Sequence, residues 1–153
     1  MQPFTAPEQL WFTSARLTVH VPQARSAARV SIIEHHMAEG FAIPLHVHDE
    51  DESFFILEGE VRFQADGAVL TLGVGDSLHA PAGQPHSFRV LSPEARFLTV
   101  STGRFEEMVR SLARPAGTPG ALPPQAPPTE AEMVALVAAC QEHGIEFQGP
   151  PVA

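Results

Sequence analysis

Two imidazoles and a carboxylate stand close together where the chain reads Pro44-Leu45-His46-Val47-His48, then Asp49-Glu50-Asp51-Glu52. Side chains alternate along a strand, so His46 and His48 share a face and can converge on one ion at about 2.0–2.2 Å. Glu52 follows the acidic turn 49–51 and falls near the start of the next strand, where it returns to that face. Glu50 and Asp51 compete with it for the role of carboxylate ligand, and the run 49–52 also reads as a solvated acidic turn. A further imidazole, His86, closes a block that begins at Gly75, in which Pro81, Gly83 and Pro85 shape a turn that sets it at the start of a strand. Three nitrogens and one oxygen suit a single divalent transition ion: Fe, Ni, Mn, Co, Cu or Zn. Four protein ligands in an octahedral shell leave two positions open to substrate or O₂.

The elements that must hold these side chains are strands. From about 16 to 101 the chain alternates short apolar runs with Gly, Pro and Asp turns. The pattern predicts strands near 16–21, 28–37, 43–48, 53–58, 60–65, 68–72, 77–80, 86–91 and 95–101. Many short strands at near-even spacing predict an all-β sandwich or barrel. Residues 1–15 read as an irregular lead-in, with Phe4, Leu10, Trp11 and Phe12 apolar enough to pack against something. The barrel is expected over 16–103 and a helical tail over 104–153. Within the tail, 105–113 reads as a helix, and 115–128, with six prolines and two glycines, as an extended connector. Thr129 and Glu132 match a capping box that starts a second helix. Met133, Leu136, Val137 and Cys140 form an apolar stripe at helical spacing, expected to pack on the barrel or on a second subunit. Gly144 suits the helix stop.

Composition narrows the chemistry. With 153 residues, one domain is expected, and the 44% apolar content supports a sizeable core. The formal charge of −9 argues against nucleic acid and anionic membrane as partners. There is no Lys, so no Schiff base forms, and no Tyr, so none serves as acid, base or radical. Cys140 is the single cysteine, which excludes an intrachain disulfide and reads as a small buried apolar residue. No signal peptide and no apolar run of membrane-spanning length is evident, so a cytoplasmic protein is the expectation.

The two histidine blocks resemble the cupin family. Gly40, His46, His48, Glu52 and Gly59 meet the first cupin motif, G-x5-H-x-H-x3-E-x6-G. Gly75, Pro81, Gly83 and His86 meet the second, G-x5-P-x-G-x2-H-x3-N, with Val90 in place of its final Asn. The resemblance implies a single-domain jelly-roll β-barrel with the C-terminal helices packed outside and a metal inside one mouth. It implies His46, His48, Glu52 and His86 as ligands. The Pro-rich connector, helix and Gly144-Ile145-Glu146-Phe147-Gln148-Gly149-Pro150 ending also resemble bacterial cupins similar to quercetin dioxygenase. A homodimer is expected from the family and from the apolar termini.

Counting by twos from Glu52 puts Phe54 and Ile56 on its face, and counting from His86 adds Phe88 and Val90. These four are candidate substrate-pocket residues, or ordinary barrel core. An apolar pocket around an open metal position would favour an aromatic or enol-type small molecule. The expected activity is that of a metal-dependent dioxygenase, with Glu52 as ligand and catalytic base. The alternatives are a non-oxidative isomerase, epimerase, decarboxylase or lyase using the metal as Lewis acid, and a small-molecule-binding module without turnover. His35 and His36 are neighbours on a strand, so at most one looks into the barrel. His79 lies near the second turn, and His20 and His143 read as structural or exposed.

Overall fold

A computed structural model describes residues 5–102 and 104–153. Pro3, Phe4 and Gly103, which the sequence reading places in the lead-in and at the barrel's end, lie outside the described residues. The chain folds as two antiparallel sheets. Strands run in order β1 (Glu8–Phe12), β2 (Ala15–Val21), β3 (Ser31–Ala38), β4 (Ala42–Val47), β5 (Glu52–Glu58), β6 (Val61–Ala65), β7 (Ala68–Leu72), β8 (Ser77–Ala80), β9 (His86–Val90) and β10 (Glu94–Ser101). Then come helix α1 (Phe105–Leu112), the short β11 (Arg114–Pro115), helix α2 (Glu130–Glu142) and β12 (Glu146–Gly149). The larger sheet has the order β11-β1-β2-β3-β10-β5-β8 and the smaller β12-β4-β9-β6-β7. This is a jelly-roll arrangement, and it matches the all-β expectation.

Period-2 alternation explains the core. On β3, Ile33, His35 and Met37 turn inward, and on β10 Ala95, Phe97 and Thr99 do the same. Phe54, Phe63, Phe88 and Phe97 meet between the sheets, with ring centroids 5.0–5.7 Å apart for Phe54–Phe63, Phe63–Phe88 and Phe88–Phe97. Each such tilted or edge-on pair contributes about 0.5–1.5 kcal/mol beyond its burial. The four rings fill the space below the histidines and fix the distance between the sheets.

Turns follow the punctuation read from the sequence. Gly59 joins β5 to β6 at φ +81°, and a Cβ there would sit 2.3 Å from the carbonyl oxygen of Glu94. That approach admits only glycine. Thr129 caps α2 as expected: its side chain accepts from the Glu132 N–H while the Glu132 carboxylate accepts from the Thr129 N–H.

Several elements differ from the sequence reading. Residues 8–12 form strand β1, not an irregular stretch, because Leu10 is buried and the strand pairs along its length with β2. The strand predicted over 28–37 begins later, at Ser31, since Arg29 takes a positive φ of 55°. Strand β12 has no counterpart in the reading at all. It pairs with β4, placing Phe147 opposite His46. The apolar stripe on α2 is only partly covered: Cys140 is buried and Leu136 half-buried, but Met133 and Val137 are exposed beside Val134. The helix meets the fold through Ala139 and Cys140 near its C-terminal end, so its first turns stand clear of the barrel.

Candidate metal centre

The register of β4 and β9 sets His46 directly opposite His86. His48 follows at the end of β4, and Glu52 opens β5 on the facing sheet, where it pairs with Ser101 and Ala80. The loop carrying His48 is tied to the second histidine block, because the Gly83 N–H donates to the His48 carbonyl at 2.8 Å. Gly83 has φ +80°, which turns the chain so that His86 starts β9.

One ligand atom from each of His46, His48, Glu52 and His86 lies within 4.8 Å of every other. All four residues are at most 9% exposed. Of the three carboxylates weighed from the sequence, Glu52 alone joins the group. The Glu50 carboxylate instead accepts from the Arg104 N–H at 2.7 Å, and Asp51 accepts from the Ala82 N–H at 2.8 Å.

The three histidines are oriented in the same way. Nδ1 of His46 lies 2.9 Å from the Pro44 carbonyl, that of His48 3.0 Å from the Glu50 carbonyl, and that of His86 2.9 Å from the Gln84 carbonyl. A carbonyl only accepts, so each Nδ1 carries the proton and each Nε2 is left with its lone pair. The Nε2 atoms of His48 and His86 both sit 3.2 Å from Oε2 of Glu52. Lone pairs and a carboxylate oxygen facing one another repel unless a cation or protons lie among them. This donor set therefore fits a divalent ion, with backbone carbonyls holding the ligands in the correct tautomer.

The electrostatics agree. Burial pushes His46 down to about 4, helped by the neighbouring His86 imidazole. Burial also opposes a charge on His48, but its bond to Glu52 outweighs this and raises it above its ordinary value. For Glu52 burial works upward, yet the bonds from His48 and His86 hold the carboxyl far below the usual carboxylate range. Glu52 is thus an anion at neutral pH, as a ligand must be.

The other residues singled out from the sequence are distributed around this centre. Phe54, Ile56, Phe88 and Val90 are all at most 4% exposed and face the core. Of these, Phe54 reaches the metal group itself, with its ring 5.9 Å from that of His86. His35 faces inward and His36 outward, where it bonds Glu94 at 2.7 Å. His79 is exposed and bonds Ser53, His20 pairs with Glu34, and His143 caps α2 through the Ala139 carbonyl. Cys140 is buried and its thiol pushed up to about 11 by burial. The carbonyls of Pro44, Glu50 and Gln84 went unread, although Pro44 and Gln84 each stand two residues before a ligand histidine, a spacing open to recognition.

Comparison with known proteins bears on this arrangement. Residues 33–101 match the family model described as Cupin domain. Those residues correspond to a cupin domain. Over 62 residues it is 40% identical to quercetin 2,3-dioxygenase of Bacillus subtilis, covering 40% of this chain and 18% of that protein. Over 72 residues it is 35% identical to the dimethylsulfoniopropionate lyase DddQ of Ruegeria pomeroyi, covering 46% of this chain and 36% of that one. The chain thus spans well under half the length of these curated relatives. Among solved structures, the polyketide cyclase RemF of Streptomyces resistomycificus superposes with a TM-score of 0.56 at 21% identity, over 66% of this chain and 79% of that one. At that identity the likeness concerns the fold alone. The cupin domain frames the histidine group, and no helix among the described residues is long and apolar enough to cross a membrane.

Proposed function

We propose that this cupin is a metal-dependent enzyme acting on a small aromatic or enol-type molecule, with one divalent transition ion held by His46, His48, Glu52 and His86. The observation that carries the reading is the common orientation of the three histidines, each with Nδ1–H on a backbone carbonyl, beside the Glu52 carboxylate that His48 and His86 face through Nε2. The ion would supply Lewis acidity to an oxygen of the substrate. Glu52, held anionic and nearly sealed from water, is placed to take the proton of an acidic hydroxyl beside it. Phe54, Ile56, Phe88 and Val90 exclude water from that proton transfer and favour an apolar substrate body. Dioxygenation is the favoured chemistry, with O₂ as cosubstrate, supported by the 40% identity to quercetin 2,3-dioxygenase. A homodimer belongs to the same reading, supported by the exposed Met133, Val134 and Val137 on α2.

Oxygen uptake with a panel of flavonols, after loading with each of Fe, Ni, Mn, Co, Cu and Zn in turn, tests the dioxygenase. Absence of uptake with every metal would sink it. A second reading has its own support, because the lyase match extends over a longer stretch than the dioxygenase match. It is a non-oxidative lyase or isomerase, and turnover under strict exclusion of O₂ distinguishes it.

A further inference from the structure

His46 and His86 stand beside a break in their own strand pair. Ala42 and Ile43 of β4 are in register with Arg89 and Phe88 of β9, and His46 with His86, but the register shifts in between. Pro44 and Leu45 therefore oppose Ser87 alone, which makes a β-bulge. Pro44 has no N–H to give to a ladder. Its carbonyl accepts from Nδ1 of His46 at 2.9 Å. A bulge leaves a residue unpaired and bends its strand. The ladder is thus weakest just where two imidazoles must be held 4.4 Å apart.

Residues 150–153 cross this break. The Leu45 N–H donates to the Pro150 carbonyl at 3.2 Å, and the Val152 N–H donates to Oγ of Ser87 at 3.2 Å. One short segment therefore holds both sides of the bulge. Arg89 Nε donates to the Val152 carbonyl, and the Arg62 guanidinium to the main-chain oxygen of Ala153, each at 2.9 Å. Arg62 and Arg89 are partnered in register on β6 and β9. Ser87 and Arg89 alternate along β9 with His86 and Phe88, so both face away from the core. Ser87 is nevertheless 0% exposed, and Val152, which bonds it, is itself buried. The contact lies on the far side of the sheet from the imidazoles.

We infer that Ser87 and Val152 are positioning residues for the metal group. Their hydrogen bond clamps residues 150–153 across the bulge and fixes the separation of His46 and His86. The inference rests on the reading of these histidines as metal ligands. A ligand set works only when each donor is held to within about 0.5 Å, and the groups behind the ligands set metal affinity by about 10–100-fold. His48 is held differently, by the Gly83 N–H on its carbonyl and by the Glu50 carbonyl on its ring. The clamp therefore acts on two of the three imidazoles, and that division separates positioning from a general loosening of the fold.

The test uses the full chain and two variants that break the same bond from either side. Ser87→Ala removes the acceptor, and Val152→Pro removes the donor while leaving Ser87 in place. Gly67→Ala, in the turn between β6 and β7, is the control for mild destabilisation. NMR of metal-free ¹⁵N-histidine protein reads how fast each Nδ1–H exchanges with solvent. In both clamp variants His46 and His86 are expected to exchange about tenfold faster, and His48 at its original rate. Zn²⁺ is expected to bind about tenfold more weakly, and the visible absorption of the Co²⁺-loaded protein to shift. Gly67→Ala is expected to change none of these. Unmoved His46 and His86 overturn the proposal, as does equal quickening of all three histidines, the same response in Gly67→Ala, or undiminished Zn²⁺ affinity. If one clamp variant does not fold, the other reads the same bond. Failure of both to fold, where Gly67→Ala folds, would make the bond a determinant of the whole fold and overturn a role directed at the ligands. If the unaltered protein binds no Zn²⁺, the metal reading falls, while exchange in the metal-free protein still decides the clamp.

Discussion

His46 and His86 face each other across β4 and β9, partnered in register and with ring centroids 4.4 Å apart. Two imidazoles so close are kept as neighbours by the backbone, since each is held at Nδ1 by the carbonyl two residues before it. Their separation is thus a property of the strand pair and not of a bound ion. Glu52→Gln keeps the shape of the group and removes its charge. It is expected to lower divalent-metal affinity by more than about tenfold, with little change in the far-ultraviolet circular dichroism. Competition titration against a metallochromic chelator reads the affinity.

Metal uptake should release protons in a pH-dependent way. His48 titrates above its ordinary value because Glu52 favours its charged form. Near that value the metal-free protein therefore carries a proton on His48, and an ion can bind there only by displacing it. At pH 6.5 up to about one proton per ion should appear from this residue. The release should shrink as pH rises through the raised pKa, and affinity should climb over the same interval. Calorimetry in buffers of different ionisation enthalpy counts the protons. A release independent of pH would contradict the assignment of His48.

Gly59→Ala should be among the most damaging single changes to the fold. Its added Cβ would lie 2.3 Å from the Glu94 carbonyl oxygen, 2.4 Å from the Ser92 hydroxyl and 2.9 Å from Cα of Ala95, and φ is +81° besides. Both sides of the collision include backbone, so neither yields cheaply. A loss of about 3 kcal/mol is expected from clash and strain together. Gly67→Ala isolates the strain, because its φ is +71° but nothing lies within 4 Å of the new Cβ. It should cost about 1 kcal/mol. Urea unfolding of both variants separates the two effects.

The metal group was legible in the sequence because it is built from short-range rules. The i and i+2 spacing of His46 and His48, and Gly83 with the prolines before His86, act within a few residues. Strand β12 was not legible, because Glu146–Gly149 is short and lies between Gly144 and Pro150. Only the open edge of β4, about a hundred positions earlier in the chain, makes it a strand. The covered face of α2 escapes sequence reasoning for the same reason. Helical spacing shows which residues share a stripe, but the contact with the barrel through Ala139 and Cys140 decides which end of it is buried.

Buried groups should shape the acid limb of the stability curve in two stages, His35 and His46 in the upper one and Glu34 and Glu52 in the lower. His35 has its folded value lowered to about 4 by burial, against 6.5 in the unfolded chain. Between those values the unfolded chain binds the extra proton, so stability falls as pH drops from 6.5 toward 4. The slope is about 1.4 kcal/mol per pH unit for each such group. Glu34 acts lower down. Burial would raise it, but Arg96 at 2.6 Å and His20 at 3.1 Å draw it below 4.5 overall. Its contribution is complete above 4.5 and is lost as pH falls through the lower folded value. Chemical denaturation at fixed pH values from 7 to 3 reads both. His35→Phe should lessen the slope above pH 4, where His46 still contributes, and leave the lower limb, while Glu34→Gln should lessen the lower limb, where Glu52 still contributes.

The capping box of α2 offers a test confined to the tail. Met133, Val134 and Val137 are exposed, so the first turns of this helix gain little from burial and depend on their own end contacts. Thr129 accepts from the Glu132 N–H at 3.2 Å, and the Glu132 carboxylate accepts from the Thr129 N–H at 2.7 Å. Thr129→Ala removes the first bond and loosens the second, at a cost of about 1 kcal/mol. Because Ala139 and Cys140 anchor only the far end, the loss should appear as fraying of residues 130–134 and not as global unfolding. Amide exchange should quicken about fivefold in those turns and stay unchanged at Cys140 and in β9. Equal quickening in β9 would mean that the start of α2 is coupled to the barrel, which the exposure of its first turns argues against.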